Sequence, residues 1–152
     1  MNKLLFCAVI FGFGLAIAAD YAATGKTDPL TGLPLYPAIA EGAIPIKLPE
    51  VMICKSKMQT NMYPVGDAKI DATLAWCVAH LQGFKQAHAY SDGRSQNAFY
   101  NSDGTLLVSV TGIETKKGEN GPTGAISYKR FTPGLSETTI LSMKDQKIVC
   151  PP

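Results

Sequence analysis

Apolar residues recur at helical spacing in one segment near the middle of the chain, residues 67–83. They fall at offsets of 0, 4, 7, 8 and 11 along this segment: Ile70, Leu74, Cys77, Val78 and Leu81. This spacing places them on one stripe of an α-helix. Asp67 is a suitable N-cap, and Gly83 can take the left-handed conformation that ends a helix. We therefore predict one helix over 67–83, with a stripe that requires a sheet to pack on.

Segments on either side of this helix have the patterns of short β-strands. Leu106, Val108 and Val110 alternate with other residues over 106–113, which predicts a strand whose apolar face meets the helix. Further strands are predicted over 51–58, 96–100, 125–131, 137–143 and 146–150. Between them we predict a connector over 84–94, a loop over 116–124 and a turn at 132–134. The sequence thus predicts an α+β fold with one helix on a four- to five-stranded antiparallel sheet.

The chain begins with the pattern of a secretory signal peptide over residues 1–19. A lone Lys3 precedes an apolar run over 4–17, which is shorter than the roughly 20 residues that span a bilayer. We expect a secreted, extracellular protein that does not span a membrane. Residues 20–49 contain five prolines and form a predicted arm, either disordered or wrapped around a single domain over 50–152.

Charge and cysteine usage narrow the possible partners. The formal net charge of the full chain is only +2, and removal of Lys3 brings it closer to zero, so no strong basic field for nucleic acid is present. Cys77 lies on the predicted apolar stripe, where a thiol is usually a small buried hydrophobe, so the favoured disulfide joins Cys54 to Cys150. The cysteines lack the close spacing of a metal site, and we expect no metal, no cofactor and a monomer.

Residues able to transfer protons are few. The sequence contains no glycine-rich phosphate loop, GxSxG elbow or HExxH helix. His80 is predicted on a flank of the helix, His88 in the connector, and Glu114 directly after the apolar strand. Each of these is more typical of a surface residue than of a catalytic one, although a carboxylate at a sheet edge can act as a base.

The order of elements resembles the small fungal guanyl-specific ribonucleases, and more closely the ribonuclease-like secreted effectors of powdery mildews and related plant-pathogenic fungi. A strand with Cys54, one helix and a meander ending at Cys150 carry this resemblance. Residues 99–104 stand in the place of the family's base-binding segment, and residues 121–125 in the place of its Pro-Gly-Ala loop. The resemblance implies recognition of RNA or of host proteins, with possible binding residues Tyr100, Asn101, Tyr128, Lys129 and Arg130.

The departures from the family pattern imply loss of the reaction. Family enzymes use a His and a Glu as acid and base, a second His, and an Arg, and by this alignment the first His position falls at Ala98. The Arg position falls near Ser127, and no His follows His88. Only Glu114 occupies a family catalytic position, and one carboxylate does not supply the two proton-transfer groups that RNA cleavage needs. The resemblance therefore implies no enzymatic activity.

Three hypotheses follow from the sequence. The first is a secreted, inactive ribonuclease-like effector that binds RNA or proteins inside or outside a host plant. The second is a working ribonuclease in which His80 or His88 reaches Glu114 in space. The third is an unrelated secreted inhibitor or adhesion module that binds its partner through the arm over 20–49.

Overall fold

Two helices and six strands form the regular structure of the residues that our computed structural model describes, namely 26–37, 39, 42–65, 70–91, 94–113, 124–143 and 147–152. In chain order the elements are β1 (Ile46–Ile53), β2 (Ser56–Val65), α1 (Ile70–His80), β3 (Lys85–Ser91), β4 (Arg94–Tyr100), β5 (Leu106–Ile113), β6 (Gly124–Thr132) and α2 (Glu137–Ser142).

The strands form a single antiparallel sheet in the order β1-β2-β6-β5-β4-β3. The predicted α+β class and antiparallel sheet are confirmed, but the sheet has six strands rather than four or five. One reason is that the strand predicted over 51–58 is a hairpin. Cys54, with a φ of 57°, and Lys55 reverse the chain there, so β1 and β2 pair from Ile53 and Ser56 onwards.

Three other segments differ from the prediction. The connector over 84–94 contains β3, which pairs with β4 at the edge of the described sheet and therefore needs no fully apolar face. The strand predicted over 137–143 is instead α2, because the Ser136 side chain accepts a hydrogen bond from the Thr139 amide and caps a helix. Residues 147–150 of the last predicted strand have no regular structure.

Helix α1 packs on one face of the sheet, which we call the first face. The buried stripe of the helix is rotated from the predicted one. Thr73, Cys77 and Leu81 are buried, whereas Val78 is 62% exposed. Gly83 has the predicted left-handed backbone, with a φ of 77°, but α1 already ends at His80 and Gly83 lies in the turn after it. Asp67 lies outside the described residues. Cys77 and Leu81 share one apolar cluster with two residues of β5, Val108 and Val110, so the predicted contact between that strand and the helix is confirmed.

Part of the arm packs on the same face of the sheet. The Tyr36 ring lies edge-on to Trp76 of α1, with centroids 5.7 Å apart. The Tyr128 hydroxyl donates a hydrogen bond to the Pro34 carbonyl oxygen and accepts one from the Tyr36 amide. The described arm residues therefore cover the core beside α1, and β1 begins at Ile46, inside the stretch predicted as arm.

Helix α2 and the chain before it cover one end of the second face of the sheet. Leu135 and Ile140 pack there against Tyr100, Leu107 and Phe131. At this end the loop that holds Gly104 lies directly on the segment before α2, because the Leu135 amide donates to the Gly104 carbonyl oxygen at 3.0 Å.

We expect Gly104→Ala to lower the free energy of unfolding by about 2–3 kcal/mol, because it adds overlap in a packed region to left-handed backbone strain. Gly104 has a φ of 67°, and a Cβ there would overlap the backbone carbonyl oxygen of Leu135. The matched control is Gly83→Ala, which has a φ of 77° and nothing within 4 Å of the added carbon. Urea denaturation measures both, and equal losses would contradict the steric explanation.

Candidate functional site

The three cysteines that follow the predicted signal peptide have the roles that the sequence predicts. Cys54 and Cys150 form a disulfide across a sequence separation of 96 residues. Cys77 is a free thiol, fully buried under the sheet. Burial raises the pKa of this thiol to about 12, so it stays protonated and unreactive at neutral pH.

Two tyrosines predicted as possible binding residues lie inside the molecule. Tyr128 is fully buried between α1 and the arm. Tyr100 is also buried, and its hydroxyl donates a hydrogen bond of 2.9 Å to a carboxylate oxygen of Glu137. Neither ring is accessible to a base in this structure, because each is packed in one of the two apolar clusters.

Asn101, the third predicted binding residue, closes a turn of its own backbone. Its Oδ1 accepts a hydrogen bond from the Leu106 amide, and its Nδ2 donates to the Thr105 hydroxyl. Asp103 accepts from both the amide and the hydroxyl of Thr105. The segment over 99–104 thus uses its polar groups to build a strand connection.

Lys129 and Arg130, which are adjacent on β6, belong to opposite faces of the sheet. Phe131 and Lys129 lie on the second face, whereas Tyr128 and Arg130 lie on the first, since successive strand residues alternate. Tyr128, Lys129 and Arg130 therefore do not form one cluster on a single face. Arg130 is exposed and Lys129 is partly buried.

The Lys129 ammonium reaches across to the neighbouring strand and donates a hydrogen bond of 2.9 Å to the Ser109 hydroxyl. Burial lowers the pKa of Lys129 to about 8, because the charged form is poorly solvated there. The ion pairs among the described residues join Lys57 to Glu50 and Lys85 to Glu137, and neither involves Lys129. Lys129 is therefore a desolvated cation that has no carboxylate partner in the described part of the chain.

Of the three residues considered for proton transfer, His80 is the one whose side chain the structure describes. His80 is partly buried and stacks on Trp76 with ring centroids 4.6 Å apart, and its Nδ1 lies 2.9 Å from the Trp76 carbonyl oxygen. The His88 side chain and all of Glu114 lie outside the described residues, so the rearranged-site hypothesis stays untested. Over the described ranges, no three His, Cys, Asp or Glu side chains are grouped to hold a metal ion.

An exposed apolar edge is the feature that sequence reasoning missed. On the edge strand β1, Ile46, Leu48 and Val51 are 47%, 40% and 45% exposed. Single exposed apolar residues are ordinary, but three neighbours on one strand form a patch. The alternation of Ile44, Ile46 and Leu48 is typical of a strand, but the nearby prolines suggested an irregular arm.

A β-bulge keeps these three side chains on the same face. Leu48 pairs with Thr60 and Val51 pairs with Met58, so the register shifts between them. Thr60 and Met58 are two residues apart and therefore share a face, and their partners share it as well. Met58 packs with the second-face cluster, which places the apolar edge on the face that carries Lys129.

We call this region the edge surface and define it by the members that share the second face: Ile46, Leu48, Val51, Met62 and Lys129. Leu48, Thr60 and Lys129 form one row across β1, β2 and β6. Ile46, Met62 and Ser127 form the next row. The edge surface therefore combines an apolar border with one cation two strands further in.

Comparison with protein-family models, with curated proteins and with solved structures returned no match to this chain. The resemblance to ribonuclease-like effectors therefore stays a prediction. Neither described helix has the length and apolar character needed to cross a lipid bilayer.

Proposed function

We propose that this chain is a secreted, non-catalytic ribonuclease-like effector that binds a host protein through its edge surface and so modulates plant immunity. The exposure of Ile46, Leu48 and Val51 on one face of an edge strand carries this proposal. A contiguous apolar patch on a small soluble domain is typical of a protein-interaction site.

Several features favour a protein partner over RNA. Single-stranded RNA is usually bound by exposed aromatic rings along a basic groove, whereas Tyr100 and Tyr128 are buried and Arg130 lies on the opposite face from Lys129. Apolar surface around a few polar groups is characteristic of the core of a protein interface. The edge surface has this composition.

The register of the sheet supports the non-catalytic part of the proposal. By the family alignment, Ala98 stands at the first His position and Ser127 stands near the Arg position. Both pair with Ser109 of β5, so the three residues form one row across β4, β5 and β6. A family site would need its charged groups on one sheet face, and this row carries only an alanine and two serines.

We expect the purified mature protein, with its disulfide intact, not to cleave total RNA. General acid-base cleavage requires two positioned proton-transfer groups, and the row described above holds none. Gel analysis against a competent guanyl-specific ribonuclease measures this, with Glu114→Gln as the matched variant. Guanosine-biased cleavage by the natural chain, lost in Glu114→Gln, would contradict the proposal and favour a working enzyme.

Site-specific photocrosslinking tests the binding surface. With p-benzoylphenylalanine at Leu48, we expect a discrete crosslinked product in plant extract that survives ribonuclease treatment and disappears with excess unlabelled protein. Val78 is the matched control because it is apolar, 62% exposed and located on α1, which packs on the other face. The same products from both positions, or a product that ribonuclease removes, would contradict protein binding at the edge surface.

A further inference from the structure

Lys129 lies on the edge surface, where a bound partner can supply hydrogen-bond acceptors to its ammonium. A charged group that leaves water is stabilised only when a partner of opposite charge or sufficient hydrogen bonds replace the lost solvation. Among the described residues, the Lys129 ammonium donates to the Ser109 hydroxyl, and an ammonium has three donors. Within this part of the chain, two donors thus remain for an incoming acceptor.

The other lysine that the described strands place on this face is already paired. Lys85 shares a row with Tyr100 on the second face, and its ammonium lies 2.9 Å from Glu137. On the first face, Lys57 is paired in the same way with Glu50. Of the two lysines that the described strands place on the second face, Lys129 is therefore the one that an acidic ligand can approach without displacing a carboxylate.

The sheet fixes how far this cation lies from the apolar border. Leu48 and Lys129 are members of one row, separated by a single strand. Neighbouring strands lie about 4.8 Å apart, which places the two backbones roughly 10 Å from each other. A ligand in the polyproline II conformation rises about 3.1 Å per residue with three residues per turn, so side chains three positions apart lie on one side of it, roughly 9 Å from each other.

We propose that the edge surface recognises a peptide segment in which an acidic residue stands three positions from an apolar residue, with the carboxylate on the Lys129 ammonium and the apolar side chain on Leu48 and Ile46. This inference rests on the proposed protein-binding function and specifies the chemistry of the partner.

The electrostatics of the site agree with this geometry. Desolvation holds the pKa of the free Lys129 ammonium near 8. A carboxylate within hydrogen-bonding distance favours the charged form, so a bound acidic residue would raise this pKa. A charge-assisted hydrogen bond in such a desolvated place is stronger than one in water. The acidic residue should therefore contribute specificity as well as affinity.

Selection from a phage library of random 12-residue peptides on the mature, disulfide-intact protein tests the proposal. We expect enriched sequences to contain Asp or Glu three positions from Leu, Ile, Val or Phe. Lys129→Met should weaken binding of a synthetic enriched peptide by about 10- to 100-fold, whereas Lys129→Arg should retain most of it. Lys129→Met keeps the length of the side chain without its charge, and its thermal midpoint confirms that the domain is folded.

A paired substitution shows whether the two charges act together. The enriched peptide with its acidic residue changed to Gln or Asn should bind the natural protein and Lys129→Met with similar affinity. Enriched peptides without an acidic residue, or equal binding to Lys129→Met, would overturn this inference while leaving protein binding at the edge surface intact.

Two other outcomes would bear on the proposed function as well as on this inference. If no enriched peptide loses binding on Leu48→Asp, the edge surface is not a docking site, and both the inference and the proposed function fail. If a 12-nucleotide single-stranded RNA binds instead and depends on Lys129, an RNA ligand replaces the peptide.

Discussion

Asp28→Ala is expected to lower the free energy of unfolding by about 4 kcal/mol, because it leaves several buried polar groups without a partner. The Asp28 carboxylate is fully buried. One oxygen accepts hydrogen bonds from Asn61 Nδ2 at 2.8 Å and from the Tyr63 hydroxyl at 3.0 Å. The other accepts from the amide and the hydroxyl of Thr31.

The expected loss of stability in Asp28→Ala has two parts. Asn61 and Tyr63 lie on β2 and are themselves buried, and an unsatisfied buried donor costs about 1–3 kcal/mol. The turn from Asp28 to Thr31 also loses the acceptor that closes it. This carboxylate connects the described arm residues to β2 through hydrogen bonds. Its removal should therefore weaken the packing of the arm as well as destabilise the core.

Equilibrium urea denaturation, followed by Trp76 fluorescence, measures the change. Trp76 is the only tryptophan of the chain and lies against Tyr36 of the arm, so its signal reports on the same contact. The control is Asp71→Ala, which removes an exposed carboxylate from α1 and should cost less than about 1 kcal/mol. A loss of under 1 kcal/mol for Asp28→Ala would show that the network does not hold the arm.

This network also bears on the hypothesis that the arm is a free binding segment. The described arm residues use Asp28, Thr31, Pro34 and Tyr36 for contacts within the domain. Deletion of residues 20–49 would remove these contacts together with the first residues of β1. A point substitution such as Asp28→Ala is therefore the cleaner way to separate stability from binding.

Removal of the disulfide by Cys54→Ala with Cys150→Ala is expected to cost about 4–5 kcal/mol, the value that chain entropy gives for a closed loop of about 100 residues. The bridge spans 96 residues and ties the turn between β1 and β2 to the end of the chain. Val149, next to Cys150, also accepts from the Thr139 hydroxyl and donates to the Ser142 hydroxyl. These two bonds should weaken once the bridge is lost.

A loss of this size is a large part of the 5–15 kcal/mol that stabilises a typical domain. Denaturation of the double variant measures it, and the natural chain kept in dithiothreitol should show a similar loss. Cys77→Ala is the matched cysteine substitution, since its buried thiol is free, and we expect a cost of only about 1 kcal/mol. Equal effects of the two changes would mean that packing, and not the crosslink, stabilises the fold.

Local patterns were sufficient for several elements. The apolar alternation over 106–113 predicted β5 at its observed bounds, and the segment over 125–131 became β6 with one more residue at each end. The disulfide between Cys54 and Cys150 followed from placing Cys77 on a buried helix. These features depend on residues close in sequence or on one class of side chain, so periodicity and composition predict them.

Other elements could not be predicted because competing signals were equally strong. Residues 137–142 are β-branched in part, yet the Ser136 cap makes them helical. The run over 51–58 has the composition of one strand, and only the positive φ of Cys54 divides it into two. Val78 has the same apolar character as the buried positions of α1, and its exposure depends on which side of the helix meets the sheet.

The sequence by itself determined the α+β class, the helix near the middle of the chain, its two best strands and the disulfide, since these depend on local periodicity and on the burial expected for a thiol. Only the tertiary structure decided the candidate site. Leu48 and Lys129 are 81 positions apart in the chain and share a row only because β6 inserts between β2 and β5. Tyr128 and Lys129 are adjacent in sequence yet separated by the sheet, because successive strand residues face opposite sides.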